Sequence, residues 1–149
     1  MSKEKDIDKA LFNAAEKVRK NAHVPYSNFK VGAAILAEDG NIYAGCNVEN
    51  AAYPQGVCAE GGAISIMVAA GQKQIKRIYI TASGADPVTP CGGCRQKIRE
   101  FAATDVIIIC HGVDGKPFEK TLDELLPYSF GPEHLDAVHL NIKNSGESK

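Results

Sequence analysis

The side chains best suited to act together lie in two short segments, Cys58-Ala59-Glu60 and Pro90-Cys91-Gly92-Gly93-Cys94. Each follows a loop and opens a stretch that reads as a helix. A C-x-x-C at a helix start curls its second sulfur back toward the first, so both thiolates face one point. The amino end of a helix carries partial positive charge and favours thiolate over thiol. With the two helices side by side, Cys58 adds a third sulfur. Three thiolates leave one position of a tetrahedral zinc ion open to water, the layout of a catalytic rather than a structural site. Zinc held that way lowers the pKa of its water toward neutrality. Glu60, two residues past Cys58, is too close in sequence to be a comfortable fourth ligand but is well placed to move protons. Taken singly these signals are weak. A C-x-x-C also serves structural zinc and redox pairs, and a Glu in a first helical turn commonly only offsets the helix dipole. Their combination, about thirty residues apart, is what points to catalytic zinc.

The remaining cysteines and histidines carry less. Cys46 and Cys110 fall in strand patterns and read as small buried hydrophobes. His23, His111, His134 and His139 read as surface residues, with His111 kept as a remote candidate for a fourth ligand.

Positioning such a site requires a framework, and the chain has one. Ile7, Ala10, Leu11, Ala14, Ala15 and Val18 recur at helical spacing over the first twenty residues. Pro25 ends that pattern. Strands are expected at 29–36 and 42–48, joined as a hairpin through Glu38-Asp39-Gly40-Asn41. A small-residue helix runs from Cys58 to Ala70, with Gly71 just past its end. Further expectations are a strand at 77–82, a helix at 91–101, a strand at 105–109 and a short helix at 122–126. Alternating strand and helix in the second half favours parallel strands covered by helices. The architecture is α/β: a three-layer α-β-α sandwich with a mixed, roughly five-stranded sheet in a single domain over 1–149, with 141–149 as a frayed tail.

Composition narrows the partners. The chain has 149 residues, 44% hydrophobic and 23% charged, with a formal net charge of −1 from seventeen basic and eighteen acidic residues. A nucleic-acid binder usually shows a basic excess, so a small substrate is expected instead. No apolar run approaches a membrane span, and the polar start MSKEKDIDKA is unlike a signal peptide. Five cysteines without a secretion signal suggest metal or buried thiols in the cytoplasm.

The two cysteine segments resemble those of the zinc nucleoside and base deaminases, in which a non-ligand Glu is the general acid/base. Further segments narrow the resemblance to the small, all-Cys cytidine deaminases and cover the chain nearly to Leu135. They are Pro25-Tyr26-Ser27 with Phe29, Val31-Gly32-Ala33-Ala34, Gly45 to Tyr53, and Leu125-Leu126-Pro127 with Phe130. The resemblance implies hydrolysis of cytidine and 2′-deoxycytidine to uridine and 2′-deoxyuridine plus ammonia, by zinc-bound hydroxide with Glu60 as proton shuttle. It implies one Zn2+ per subunit on Cys58, Cys91 and Cys94, a nucleoside substrate, and a role in pyrimidine salvage. Asn47 and Glu49, on one face of a strand end, would contact the ribose, and Phe29 would wall the base pocket. The N–H of Ala59 and the carbonyl of Thr89 would read the base edge. Ala51, Tyr53 and Phe130 resemble residues supplied by a neighbouring subunit of a homotetramer.

One departure stands out. Many relatives carry an Arg directly after the catalytic Glu, bonded to the ligand sulfurs, whereas this chain has Gly61. Arg95 is then the candidate to offset the thiolates' charge. Gly61 also fits a deaminase of a modified nucleoside such as a blasticidin-type antibiotic, although the Asn47-Val48-Glu49-Asn50 segment favours cytidine. A non-catalytic structural-zinc module is the alternative from another class.

Overall fold

The computed structural model describes residues 3–112 and 115–136. The expected tail at 141–149, and His139 with it, lies outside the described residues. Helix α1 (Lys3–Arg19) is followed by strands β1 (Val31–Ala37) and β2 (Ile42–Cys46), helix α2 (Ala59–Ala69) and strand β3 (Ile75–Ala82). Helix α3 (Gly92–Phe101), strands β4 (Ala102–His111) and β5 (Phe118–Thr121), and the short helix α4 (Leu122–Leu125) complete it. The sheet order is β2-β1-β3-β4-β5, with β3 and β4 parallel and every other pair antiparallel. The mixed five-stranded α/β sheet is therefore as expected from the sequence.

Strand alternation sorts the core into two layers. Ala33 and Ile35 of β1, Ile78 and Ile80 of β3 and Ile108 of β4 turn toward α2, α3 and α4. Ala34, Tyr79 and Ile109 turn the other way, onto Leu11 and Ala15 of α1. Full burial of each isoleucine contributes roughly 1.5–3 kcal/mol. Arg77 extends the second layer to its rim, where its guanidinium grips Asp8 of α1 at 2.5 and 2.9 Å.

Two glycines fix where α2 lies. Gly45 of β2 sits so close to the helix that a Cβ there would stand 2.3 Å from the Ala63 nitrogen. Gly71 follows the helix with φ +87°, the left-handed conformation a helix-ending glycine adopts at little cost. The start of α2 is thus pressed against the sheet, and the start of α3 comes beside it. Helix α4 opens with a capping box between Thr121 and Glu124.

Element bounds differ from the sequence expectation where local pattern is weak. Strand β2 ends at Cys46 rather than 48, and Val48 makes only single bridges to His23 and Val57. Cys46 is half-buried rather than core, because it closes an outer strand, whereas Cys110 is fully buried.

Candidate active site

Cys58 caps α2 and Cys91 caps α3, each with extended backbone, while Cys94 lies in the first turn of α3. Their Sγ atoms all lie within 4.8 Å of one another, with Cys58 and Cys91 at 4.0 Å. A tetrahedral zinc with Zn–S bonds of about 2.3 Å has S–S edges of about 3.8 Å, so the three thiols reach it by contracting about 1 Å or less. Soft sulfur donors converging from two helix starts fit zinc. Among the described residues no other group of three metal-ligating side chains converges in this way.

Glu60 is in the first turn of α2, only 5% exposed, and its Oε2 accepts from the Cys94 thiol at 3.3 Å. Burial pushes the Cys94 thiol far up, with the Glu60 carboxylate and Cys58 adding to the rise. Burial also raises Cys58. The backbone N–H of Cys94 pulls Cys91 below the ordinary thiol range. Near Glu60, Cys110 is pushed up to about 12 by burial, and it stays a neutral hydrophobe.

Cys58, Cys91 and Glu60 open onto a cavity of about 170 Å³, with Cys94 buried behind them. Val31, Ile80 and Val88 give it apolar walls, which sequence reasoning did not single out because each reads as ordinary core. Ala59, Thr89 and Asn47 line it as expected. Arg95 fixes the loop that carries Thr89. Its guanidinium donates to the Pro90 carbonyl at 2.7 Å, the Leu125 carbonyl at 2.6 Å and Thr89 Oγ1 at 3.0 Å. None of these bonds goes to a thiol. The expected charge partner of the sulfurs is in this structure a clamp between the loop before Cys91 and the end of α4.

Asn47 and Glu49 do not share a strand face, because β2 has already ended. The Asn47 amide is pinned to the backbone, accepting from Val31 N at 2.8 Å and donating to the Phe29 carbonyl at 2.9 Å. That leaves one N–H and one lone pair for a ligand. Glu49 lines a second cavity, of about 330 Å³, with Tyr26, Ser27, Asn50 and Tyr53. Its carboxylate accepts from the N–H groups of Tyr26 and Ser27 at 3.0 and 3.1 Å and from the Ser27 hydroxyl. The hydroxyl, followed by these amides, holds it below the usual carboxylate range. Phe29 is half-buried and reaches this arrangement through its carbonyl.

Ala51, Tyr53 and Phe130 are exposed, and none lines the thiol cavity. Phe130 stacks on His134 at 5.1 Å and its carbonyl accepts from Gln96. His111 is not a fourth ligand. It lies on the α1 face of the sheet against Phe12, with Nδ1 3.2 Å from the Tyr79 hydroxyl and Nε2 2.7 Å from the Gly115 carbonyl.

Two helix starts gripping one metal position beside a carboxylate that is not a ligand are the hallmark of zinc-dependent deaminases. Known proteins point the same way. Residues 5–110 match the family described as the cytidine and deoxycytidylate deaminase zinc-binding region. The cytidine deaminase of Sporosarcina psychrophila is 44% identical over 130 residues, 87% of this chain and 95% of that protein. That of Halalkalibacterium halodurans is 38% identical over 126 residues, 85% and 96% of the two. The cytidine deaminase structure from Burkholderia pseudomallei superposes with TM-score 0.79 at 36% identity, covering 87% of this chain and all of that one (100%). The Mycobacterium tuberculosis structure gives 0.73 at 35%, covering 83% and 96%. The chain belongs to the cytidine and deoxycytidylate deaminase family, a family of enzymes whose metal is zinc.

Proposed function

We propose that this chain converts cytidine and 2′-deoxycytidine, with water, to the uridine nucleosides and ammonia, with Cys58, Cys91 and Cys94 as zinc ligands and Glu60 as proton shuttle. The observation that carries this reading is the buried Glu60 carboxylate, 3.3 Å from the Cys94 sulfur, at the wall of the cavity that Cys58 and Cys91 line. Bound zinc supplies a Lewis acid that makes water nucleophilic near neutral pH. Glu60 accepts a proton as water adds to C4 and passes it to ring N3. The same carboxylate then takes the remaining proton of the added hydroxyl at C4 and delivers it to the departing amine, so that ammonia leaves as the C4 carbonyl forms and one residue serves both halves of the reaction. Val31, Ile80 and Val88 exclude bulk water from the ring. The Ala59 N–H and the Thr89 carbonyl are donor and acceptor for the base edge, while Asn47 and Glu49 meet the sugar hydroxyls. Phe29 supports that pocket from behind the Asn47 amide.

Exposure of Tyr53 at 75% and Phe130 at 59%, with neither lining the cavity beside the thiols of their own chain, supports a homotetramer in which these residues and Ala51 complete a neighbour's site. A free nucleoside substrate fits a role in pyrimidine salvage, and we propose the cytoplasm as its compartment.

The test is ammonia release and ultraviolet loss on mixing zinc-loaded protein with cytidine and, separately, with 2′-deoxycytidine. Replacing Glu60 by Gln should retain zinc and fold while turnover falls by about 10²–10⁴-fold. A near-normal rate in that variant would refute the shuttle, and no turnover by the parent on either nucleoside would refute the substrate.

A further inference from the structure

Three thiolates on a divalent zinc leave a net charge of about −1, which weakens the ion's pull on its water unless a nearby cation offsets it. Gly61 supplies none, and Arg95 makes its hydrogen bonds to oxygens elsewhere. A different cation reaches the spot. A Cβ built on Gly61 would meet Lys97 Cδ at 3.6 Å and Cε at 3.9 Å. A Cβ built on Gly93 would meet Lys97 Nζ at 3.9 Å. The side chain therefore leaves α3, lies across the empty face of Gly61 in the first turn of α2, and brings its ammonium to the residue between Cys91 and Cys94.

Helix geometry explains the path. Side chains tilt toward the amino end, and residues four apart stack, so Lys97 folds back over Gly93. With no Cβ at Gly61 or Gly93, the space beside both metal-binding turns is open to it. Among the described residues Lys97 makes no ion pair with a carboxylate, so its charge is uncommitted.

We propose that Lys97 is the charge-compensating residue of the thiolate site: it makes no hydrogen bond to a thiol here, and its uncommitted ammonium acts through space from α3, where an Arg after Glu60 would act from α2. The inference rests on the reading that Cys58, Cys91 and Cys94 hold zinc. Lys97 acts through the ligands and is a positioning residue.

The experiment measures the zinc dissociation constant of the full-length protein by competition with a chromophoric chelator. Lys97→Met keeps the stem that covers Gly61 but removes the charge, and zinc affinity should fall by about tenfold or more. Lys97→Arg should retain it. Adding Gly61→Arg to Lys97→Met should restore most of the loss, because a side chain at Gly61 meets only flexible groups at ordinary contact distance. Cys94→Ser is measured alongside. If Cys94→Ser loses zinc while Lys97→Met binds like the parent within twofold, the Lys97 proposal is overturned and the thiolate site stands. If Cys94→Ser binds like the parent, both fall. A loss in Lys97→Met that neither Lys97→Arg nor Gly61→Arg reverses overturns the charge role.

Discussion

Substituting Gly45 by Ala links packing to chemistry in one step. The added methyl would lie 2.3 Å from Ala63 N, 2.7 Å from Gly62 C and 2.9 Å from Ala59 O. All three are backbone atoms of α2, so no side chain can swing aside. Restoring an ordinary contact near 3.4 Å requires helix and strand to part by about 1 Å. Overpacking against backbone costs about 2–3 kcal/mol, which for a chain of this size lowers Tm by about 4–12 °C. The functional effect should exceed the stability effect. Cys58 and Glu60 ride on the displaced end of α2, whereas Cys91 and Cys94 stay with α3. Metal–ligand distances tolerate only about 0.2 Å, and a 1 Å misplacement can cost about 100-fold in rate. Thermal unfolding and a zinc-competition titration measure the two effects on one sample. Gly61→Ala is the control, because its Cβ would meet only the Lys97 stem and Val57 at 3.6–3.9 Å. It should stabilise α2 by up to about 1 kcal/mol. A Gly45→Ala protein with parental Tm and zinc affinity, or a Gly61→Ala protein equally damaged, would refute the packing argument.

Two further expectations follow from the site. Burial holds the Cys58 and Cys94 thiols above their ordinary value of 9.0 in the metal-free protein, so both are protonated at pH 7. Zinc must displace those protons; affinity should therefore weaken as pH falls, with at least two protons released per ion at pH 7, measured in a weakly buffered titration. Release of fewer than one proton per ion would contradict this assignment. Arg95→Met should remove the clamp on Pro90, Thr89 and Leu125 at a cost of about 2–4 kcal/mol. Because Thr89 lines the cavity, KM for cytidine should rise more than zinc affinity falls, and an unchanged KM would show that the loop holds its place without Arg95.

The parts of the fold and site that could be read from sequence are those whose determinants are local. Each cysteine of the converging group announces itself by a residue type at a helix start, the starts are marked by the preceding loops, and the end of α2 is marked by Gly71. Strands β1 and β4 were visible because burial on both faces leaves continuous apolar runs such as Val106 to Cys110, and β3 was visible from the β-branched and aromatic residues of 77–82. Strand β5, Phe118–Thr121, was not singled out: it is an edge strand with Phe118 40% exposed and charges at Glu119 and Lys120, so it carries no period. The same logic separates the site residues. Asn47 and Glu49 were found by type, but their orientation depends on where β2 stops, which is set by pairing with Val57 and by the turn at Tyr26 and Ser27 rather than by neighbours in sequence. Arg95 and Lys97 are two residues apart on one helix and look interchangeable as surface cations. Their separation on the helix turns them in different directions, Arg95 to the carbonyls of Pro90 and Leu125 and Lys97 across Gly61. Nothing in the composition of 91–101 distinguishes them. What does is the absence of a Cβ on a different helix, so the missing arginine and the lysine that reaches its place are one structural fact visible only once α2 and α3 are side by side.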